Sequence, residues 1–415
     1  MHAADVIVVG AGLAGLRAAR DLADVGQRVL VLESRDRVGG RGWTSTFPGT
    51  NAAIELGGSW FTEHQKLVAA ELDRYGLGTR TFEPVTETRW RTGGELRLDS
   101  PIAASDTTSL AQWQQIQNDA LQMADGTNDP RWSLSLDEYL KSMNATEVVV
   151  DLLYGWWSIT GGGLPTEGCV EGVLGAITSE GPVGDMSYLR YAPEKGWLAL
   201  AEAMAATPGI ELRLNTLVTE VNQRQGTVSV VNGDGVFTAP AAIVAAPVNT
   251  LPNIAFDPMP PTSTSAAFGQ SAGKAIKVWL LTRGVPPRSL AFGRGESLNW
   301  FYGDRDLDGN TLVVGFGWPI DGFNADDTEH IQRALHTFYP DAELLAHIRH
   351  DWIHDPSAQG TWVNTAAGNP SALRADNFKP FGSVAFATSD FASDHSGWFE
   401  GALVSGSQAA RWANN

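Results

Sequence analysis

Cysteine is almost absent from this chain: Cys169 is the only one among 415 residues. An internal disulfide therefore has no second thiol, and a multi-cysteine metal site is excluded. Basic residues are scarce too, with 29 Lys and Arg against 47 Asp and Glu, a formal net charge of −18. A surface of that sign repels phosphate backbones and anionic headgroups, so nucleic acid and membrane are poor partners. No uncharged apolar run approaches the length needed to cross a bilayer. The first apolar run is only a few residues and leads straight into a glycine turn, unlike a secretory leader, which makes a cytoplasmic location the expectation. Internal repeats, low-complexity tracts and long linkers are lacking as well. With 43% apolar and 18% charged residues, the composition is that of a folded globular protein. The length suits two domains better than one core.

Glycine is plentiful, and its placement is informative. Val6-Ile7-Val8-Val9 runs into Gly10-Ala11-Gly12-Leu13-Ala14-Gly15, a helical stretch follows from Leu16 to Val25, and Val29-Leu30-Val31-Leu32 ends at Glu33. Strand, glycine turn, helix, strand and acid together form the dinucleotide-binding fingerprint in its required context. Gly10 permits the tight turn, Gly12 lets the backbone approach a pyrophosphate, and Gly15 lets helix and strand pack closely. The helix start at Leu13 and Ala14 offers N–H groups to phosphate. Glu33 is placed to accept ribose hydroxyls, and its charge disfavours a 2′-phosphate. Ser34, Arg35, Arg37, Gly39, Gly40 and Arg41 then form a second glycine-arginine cluster, and Gly57-Gly58-Ser59-Trp60 a third small-residue patch. A simple nicotinamide site has no need of them, whereas a long cofactor threaded through the protein does.

Along the rest of the chain, Thr86 to Arg91 with Gly93-Gly94 reads as a hairpin, and Leu110, Trp113, Ile116 and Leu121 mark one helical face. Leu134 to Trp157 reads as helix. Strands return from Gly209, with Asn232-Gly233-Asp234-Gly235 as a hairpin turn. Lys277 to Leu281 and Leu312 to Phe316 read as strands of a second sheet, Val384 to Ala387 as a last strand of the first, and Glu400 to Trp412 as a final helix. His347, His350 and His354 have helical spacing, and a solvent-exposed helix end explains them better than a metal does.

The R-x-G-G-R stretch after Glu33, the G-G-S-W patch, and Gly397-Trp398-Phe399-Glu400-Gly401-Ala402 with Ser405-Gly406 resemble the flavin-dependent amine oxidases. That group includes monoamine oxidases, polyamine oxidases and bacterial nicotine-pathway enzymes. Ala69 to Gly76, His350 to Pro356 and Ser389-Asp390 resemble the nicotine-pathway members in particular. The resemblance spans nearly the whole chain. It implies an α/β fold: a Rossmann-like FAD-binding domain of the GR2 type and a second α+β substrate domain, each built from discontinuous segments. Residues 1–76, 205–258 and 380–415 would form the first, and 77–204 with 259–379 the second, with the substrate between them.

The resemblance also implies roles. FAD would be bound noncovalently, because Thr361 stands where relatives that attach flavin have cysteine. Val218 matches a backbone contact to the cofactor, and Trp352 a tryptophan beside the flavin ring. Ser389 and Asp390 would meet the ribityl or pyrophosphate region, and the Phe399 N–H the flavin O2. Lys277 matches the lysine that holds a water against flavin N5, with Lys274 as the rival. Trp362 and Trp398 match the two aromatics flanking the amine, although tyrosine is usual at Trp398. Ser158 stands where the nicotine-pathway members have asparagine, and Phe301 or Tyr302 would add a stacking or polar contact.

The activity implied is oxidation of a secondary or cyclic amine of nicotine-alkaloid type by oxygen, giving an imine and hydrogen peroxide. The negative surface would draw in such cations. An amine dehydrogenase or desaturase with another electron acceptor and an L-amino-acid oxidase stay open, as does a homodimer.

Overall fold

The computed structural model describes residues 4–127, 129–179, 190–233 and 235–415. Its centre is a five-stranded parallel sheet in the order Val384–Phe386, Ala241–Val244, Val6–Val9, Val29–Leu32 and Ile210–Arg213. Unbroken apolar runs such as Val6–Val9 are what a parallel strand covered on both faces requires. Side-chain alternation divides that run. Val6 and Val8 pack into a core with the helices Leu13–Asp24, Gly196–Ala205 and Phe399–Ala413. Ile7 and Val9 pack toward a four-stranded sheet, in the order Gly235–Ala239, Thr227–Asn232, Val218–Arg224 and Ala255–Asp257. In its hairpin Asn232 pairs with Gly235, while Asp234 lies outside the described residues.

A seven-stranded sheet forms the other large layer, in the order Glu343–Ile348, Ile276–Arg283, Asn310–Gly317, Leu298–Leu307, Ser289–Gly293, Glu87–Thr92 and Glu95–Arg97. Its two faces feed different cores. Trp279, Trp300, Tyr302 and Phe316 join the aromatic-rich core under the helix Glu147–Thr160. Val278, Leu280, Phe301 and Val313 join the core under the helix Thr328–His336.

The structure corrects two readings. The segment from Leu134 to Trp157 is not one helix but two, Leu136–Ser142 and Glu147–Thr160. The first starts at a capping box between Ser135 and Glu138, Asn144 takes a left-handed φ of 48° in the break, and Thr146 caps the second. Each feature is a helix boundary device. His347, His350 and His354 lie not on a helix but on the strand Glu343–Ile348 and the turns after it. No group of three His, Cys, Asp or Glu able to hold a metal exists among the described residues. No helix among them is long and apolar enough to cross a membrane.

The last helix is fastened by a buried carboxylate. Glu400 accepts the Leu67 and Val68 N–H groups at 2.9 Å each, capping the helix Lys66–Arg74, whose own N-cap Gln65 makes no capping bond. We predict that Glu400→Ala lowers unfolding free energy by about 1–3 kcal/mol, measured by denaturant titration; an unchanged midpoint would contradict this role.

Candidate active site

A cavity of about 1240 Å³ runs between the parallel sheet and the seven-stranded sheet. Its wall includes Gly10, Gly12, Leu13 and Ala14 of the first turn, then Glu33, Ser34, Arg35, Gly40 and Arg41. The missing Cβ atoms explain the packing here. One on Gly10, which has φ +102°, would lie 2.7 Å from the Ala245 carbonyl oxygen, and one on Gly15 2.1 Å from that of Gly10. One on Gly12 would meet nothing within 4 Å, so that position opens into the cavity. Gly12 is the N-cap of Leu13–Asp24 and supplies no side-chain cap. The first-turn N–H groups are therefore available to an anion, which is the donor set a pyrophosphate needs. Gly40 closes against Gly12, its added Cβ falling 3.2 Å from the Gly12 Cα.

Glu33 is buried on this wall. Its carboxylate accepts Ala11 N–H at 2.7 Å, Arg35 N–H at 2.9 Å and the Ser34 hydroxyl at 3.2 Å. These bonds fix its direction and leave capacity on Oε2, out of about four lone-pair sites in a carboxylate. Arg35 donates to Asp355 at 2.8 Å. Burial would raise the Asp355 carboxyl, but His350 and Arg35 hold it well below the usual range. Arg41 donates to the Thr361 carbonyl at 2.7 Å and to Asp390 at 2.6 Å. Val218 and Ser389 also line the cavity.

Trp60, Lys277, Phe316, Trp362, Trp398 and Phe399 also line the cavity. Lys277 leaves the strand Ile276–Arg283 on the same face as Trp279 and pairs across the sheet with Phe316. Its Nζ donates to the Glu55 carbonyl at 2.6 Å, the Gly57 carbonyl at 2.5 Å and the Ser59 hydroxyl oxygen at 2.6 Å. Burial pushes this ammonium down from its ordinary value, and the nearby Glu55 and Asp304 charges push it back up. Burial likewise raises the Glu55 carboxyl.

The G-G-S-W patch is shaped by its neighbours. A Cβ on Gly57 would fall 1.8 Å from the Arg41 carbonyl oxygen, and one on Gly58 2.6 Å from the Phe399 ring. Trp60 lies 6.0 Å from Phe316, and Phe316 6.1 Å from Trp362. The Trp362 indole donates to the Thr160 carbonyl at 3.2 Å, and that of Trp352, also on the wall, to the Leu56 carbonyl at 2.9 Å. Trp398 is the N-cap of Phe399–Ala413 and makes no side-chain capping bond, so the Phe399 N–H begins an uncapped helix facing the cavity. The Phe399 ring is stacked 3.7 Å from Trp197.

Several site expectations need correction. Ser158 does not line the cavity: its hydroxyl is buried and donates to the Tyr154 carbonyl at 3.1 Å, while the next residues, Ile159 and Thr160, reach the wall. One helical step of about 100° makes that difference. Phe301 faces the opposite side of its sheet, against Phe338. Tyr302 shares the site's face but packs on Phe82 and Trp300, behind the wall. Asp390 is enclosed between Arg41 and the Val248 N–H, so it orients Arg41 and stays off the wall. Lys274 precedes the strand and pairs at the surface with Glu167 at 2.6 Å. Lys277 is on the wall, with its three donors directed at the Glu55 and Gly57 carbonyls and the Ser59 hydroxyl oxygen. Sequence reading missed Phe316, Ile159 and Thr160. Phe316 ends the strand read from Leu312 to Phe316, but its pairing opposite Lys277 is a matter of register that spacing alone does not give.

Thr361 is on the cavity wall, whereas Cys169 is buried away from it, its thiol donating to the Trp132 carbonyl at 2.8 Å. Burial raises that thiol to about 11.

Comparison with known proteins identifies the family. The family model for flavin containing amine oxidoreductases matches residues 13–413. The chain is 30% identical to (S)-6-hydroxynicotine oxidase of Paenarthrobacter nicotinovorans, covering 96% of each, and 28% identical to pseudooxynicotine dehydrogenase of a Pseudomonas sp, covering 97% of this chain and 84% of that one. In fold, it resembles a putrescine oxidase double mutant with a TM-score of 0.86, at 22% identity over 99% of both chains. Cyclohexylamine oxidase from Brevibacterium oxydans IH-35A gives a TM-score of 0.80 at 20% identity, over 99% of this chain and 98% of that one. The chain belongs to the flavin containing amine oxidoreductases, and FAD is its cofactor.

Proposed function

We propose that this enzyme oxidises the C–N bond of a secondary or cyclic amine of nicotine-alkaloid type, with oxygen as acceptor. In balance, the carbon next to nitrogen gives up a hydride; a secondary amine also loses its N–H proton and becomes an imine, whereas a tertiary cyclic amine has no N–H and becomes an iminium cation. Dioxygen takes up the two electrons and two protons and leaves as hydrogen peroxide. The carrying observation is that Lys277, Trp60, Phe316 and Trp362 form a chain of contacts, each within 6.1 Å of the next, and line the same cavity as Trp398 and the glycine turns. FAD bound in the cavity would supply the two-electron chemistry. The names of relatives that act on 6-hydroxynicotine and pseudooxynicotine support the substrate class.

The side chains have separable tasks. Trp362 and Trp398 would flank the amine, exclude water and align its nitrogen lone pair. A free secondary amine has a pKa of about 10, so deprotonation at about pH 7.5 costs roughly 3–4 kcal/mol. An apolar wall lowers that cost, and cation–π attraction raises it by about 0.5–2 kcal/mol. Indole at position 398 is larger than the usual phenol and lacks its hydroxyl, which makes the cage narrower and more apolar. Lys277 would contribute positive charge where oxygen is reduced. An amino-acid substrate would need a free arginine for its carboxylate. Among the described wall residues Arg35 and Arg41 are already bonded to Asp355 and Asp390.

A second reading rests on the relatives named dehydrogenases: the same amine chemistry with an acceptor other than oxygen. Stoichiometric peroxide release in air on addition of nicotine-type, cyclic and simple N-methyl amines tests the oxidase reading; turnover only with an artificial acceptor would favour the dehydrogenase. The kcat/KM of the preferred amine is expected to rise with pH through a single ionisation between about pH 6 and 10, and a flat profile would contradict the need for a neutral nitrogen. Lys277→Met is expected to slow reoxidation by oxygen more than flavin reduction by amine in stopped-flow experiments; equal slowing would contradict its assignment.

A further inference from the structure

An ammonium has three N–H donors, and all three of Lys277's are directed at protein acceptors: the carbonyls of Glu55 and Gly57 and the hydroxyl oxygen of Ser59. Two of those acceptors are backbone oxygens, which carry no proton of their own. Ser59 differs. Its oxygen accepts from Lys277, so its own O–H remains to donate, and Ser59 lies on the cavity wall. From this geometry we infer that Ser59 is the residue through which Lys277 acts on whatever occupies the cavity: the ammonium polarises the hydroxyl, and the hydroxyl presents the proton.

The surroundings hold Ser59 in place. Its carbonyl accepts the Trp197 indole N–H at 3.2 Å, and Trp197 is stacked on Phe399, whose ring covers Gly58. The loop before Ser59 is pinned by Trp279 and Trp352, which donate to the Glu55 and Leu56 carbonyls at 2.8 and 2.9 Å. The charge on Lys277 has local support. Asp304 is already bonded to Arg80 and Arg305, at 3.2 and 2.6 Å, whereas Glu55 is bonded to the neutral Thr44 hydroxyl and Trp197 N–H. Glu55 is therefore the carboxylate left to balance the ammonium.

Proton bookkeeping is simple in this arrangement. If Nζ gives a proton to Ser59 Oγ as the Ser59 hydrogen passes to an oxygen-derived anion, the hydroxyl is regenerated, Lys277 becomes neutral, and one of the two protons of hydrogen peroxide has been delivered. The electrons come from the amine, as in the proposed reaction, on which this inference rests.

A double-mutant cycle tests it. Ser59→Ala, Lys277→Met and the double variant are loaded with FAD, and the oxygen half-reaction is followed by stopped flow. The midpoint potential of the bound flavin supplies a readout independent of turnover. Each single change is expected to slow reoxidation roughly 10-fold or more, the scale of one hydrogen bond to a charged group. The double change should be no slower than the worse single one. Ser59→Thr, which keeps a hydroxyl, should restore most of the rate, and Ser59→Ala and Lys277→Met should shift the potential in the same direction. If Lys277→Met slows reoxidation while Ser59→Ala does not, or if the two effects multiply, the relay is overturned with the role of Lys277 intact. If Lys277→Met itself has no effect, the proposed function fails at that residue.

Discussion

Lys277 crosses from the seven-stranded sheet to the loop that begins at Glu55, and its buried ammonium is bonded there to three oxygens. Burying an unpaired charge costs several kcal/mol even after relaxation. Hydrogen bonds to a charged group return about 1.5–3 kcal/mol each, so the three acceptors and the nearby Glu55 carboxylate together offset that cost. That bonding couples the two layers. It holds the Gly57-Gly58-Ser59 loop against Arg41 and Phe399, and the same loop lines the cavity together with the glycine turns and Trp60, Phe316 and Trp362.

The second constraint is the lack of side chains where backbones meet. Gly15 sits against Gly10, Gly40 against Gly12 and Gly57 against Arg41, each closer than a Cβ allows or close to that limit. Gly12 is different in kind: nothing in the protein fills the space beside it. The chain thus leaves a slot beside uncapped N–H donors, with Glu33 pinned at its edge by Ala11 and Arg35. Arg41 and Arg35 are in turn oriented by Asp390 and Asp355. These carboxylates act on the site through the arginines that they hold.

Much of this was legible from sequence because it is local. The runs Val6–Val9 and Val29–Leu32, the turn between them and Glu33 occur within a few dozen residues and imply one another. Lys277, Trp362 and Trp398 were indicated by motif resemblance. What was not legible depends on phase and register. Phe301 and Tyr302 were bound to face opposite ways, but which one faced the site was decided by pairing with Ser289–Gly293 and Asn310–Gly317, with irregularities along the strand. Ser158 was misplaced by one helical step. The split of the Leu134–Trp157 segment was in principle readable, since Ser135-x-x-Glu138 and Asn144 before Thr146 are boundary signals. The histidine spacing fitted a helix, but the chain there pairs with the strand Ile276–Arg283.

The central claim is that a bound amine is oxidised against the wall formed by Lys277, Trp362 and Trp398. Its most direct test is anaerobic titration of the FAD-loaded protein with secondary and cyclic amines, followed by flavin absorbance. Bleaching by at least one such amine is expected, with one equivalent sufficient and with Trp362→Ala slowing it. A yellow protein that no amine bleaches would contradict it.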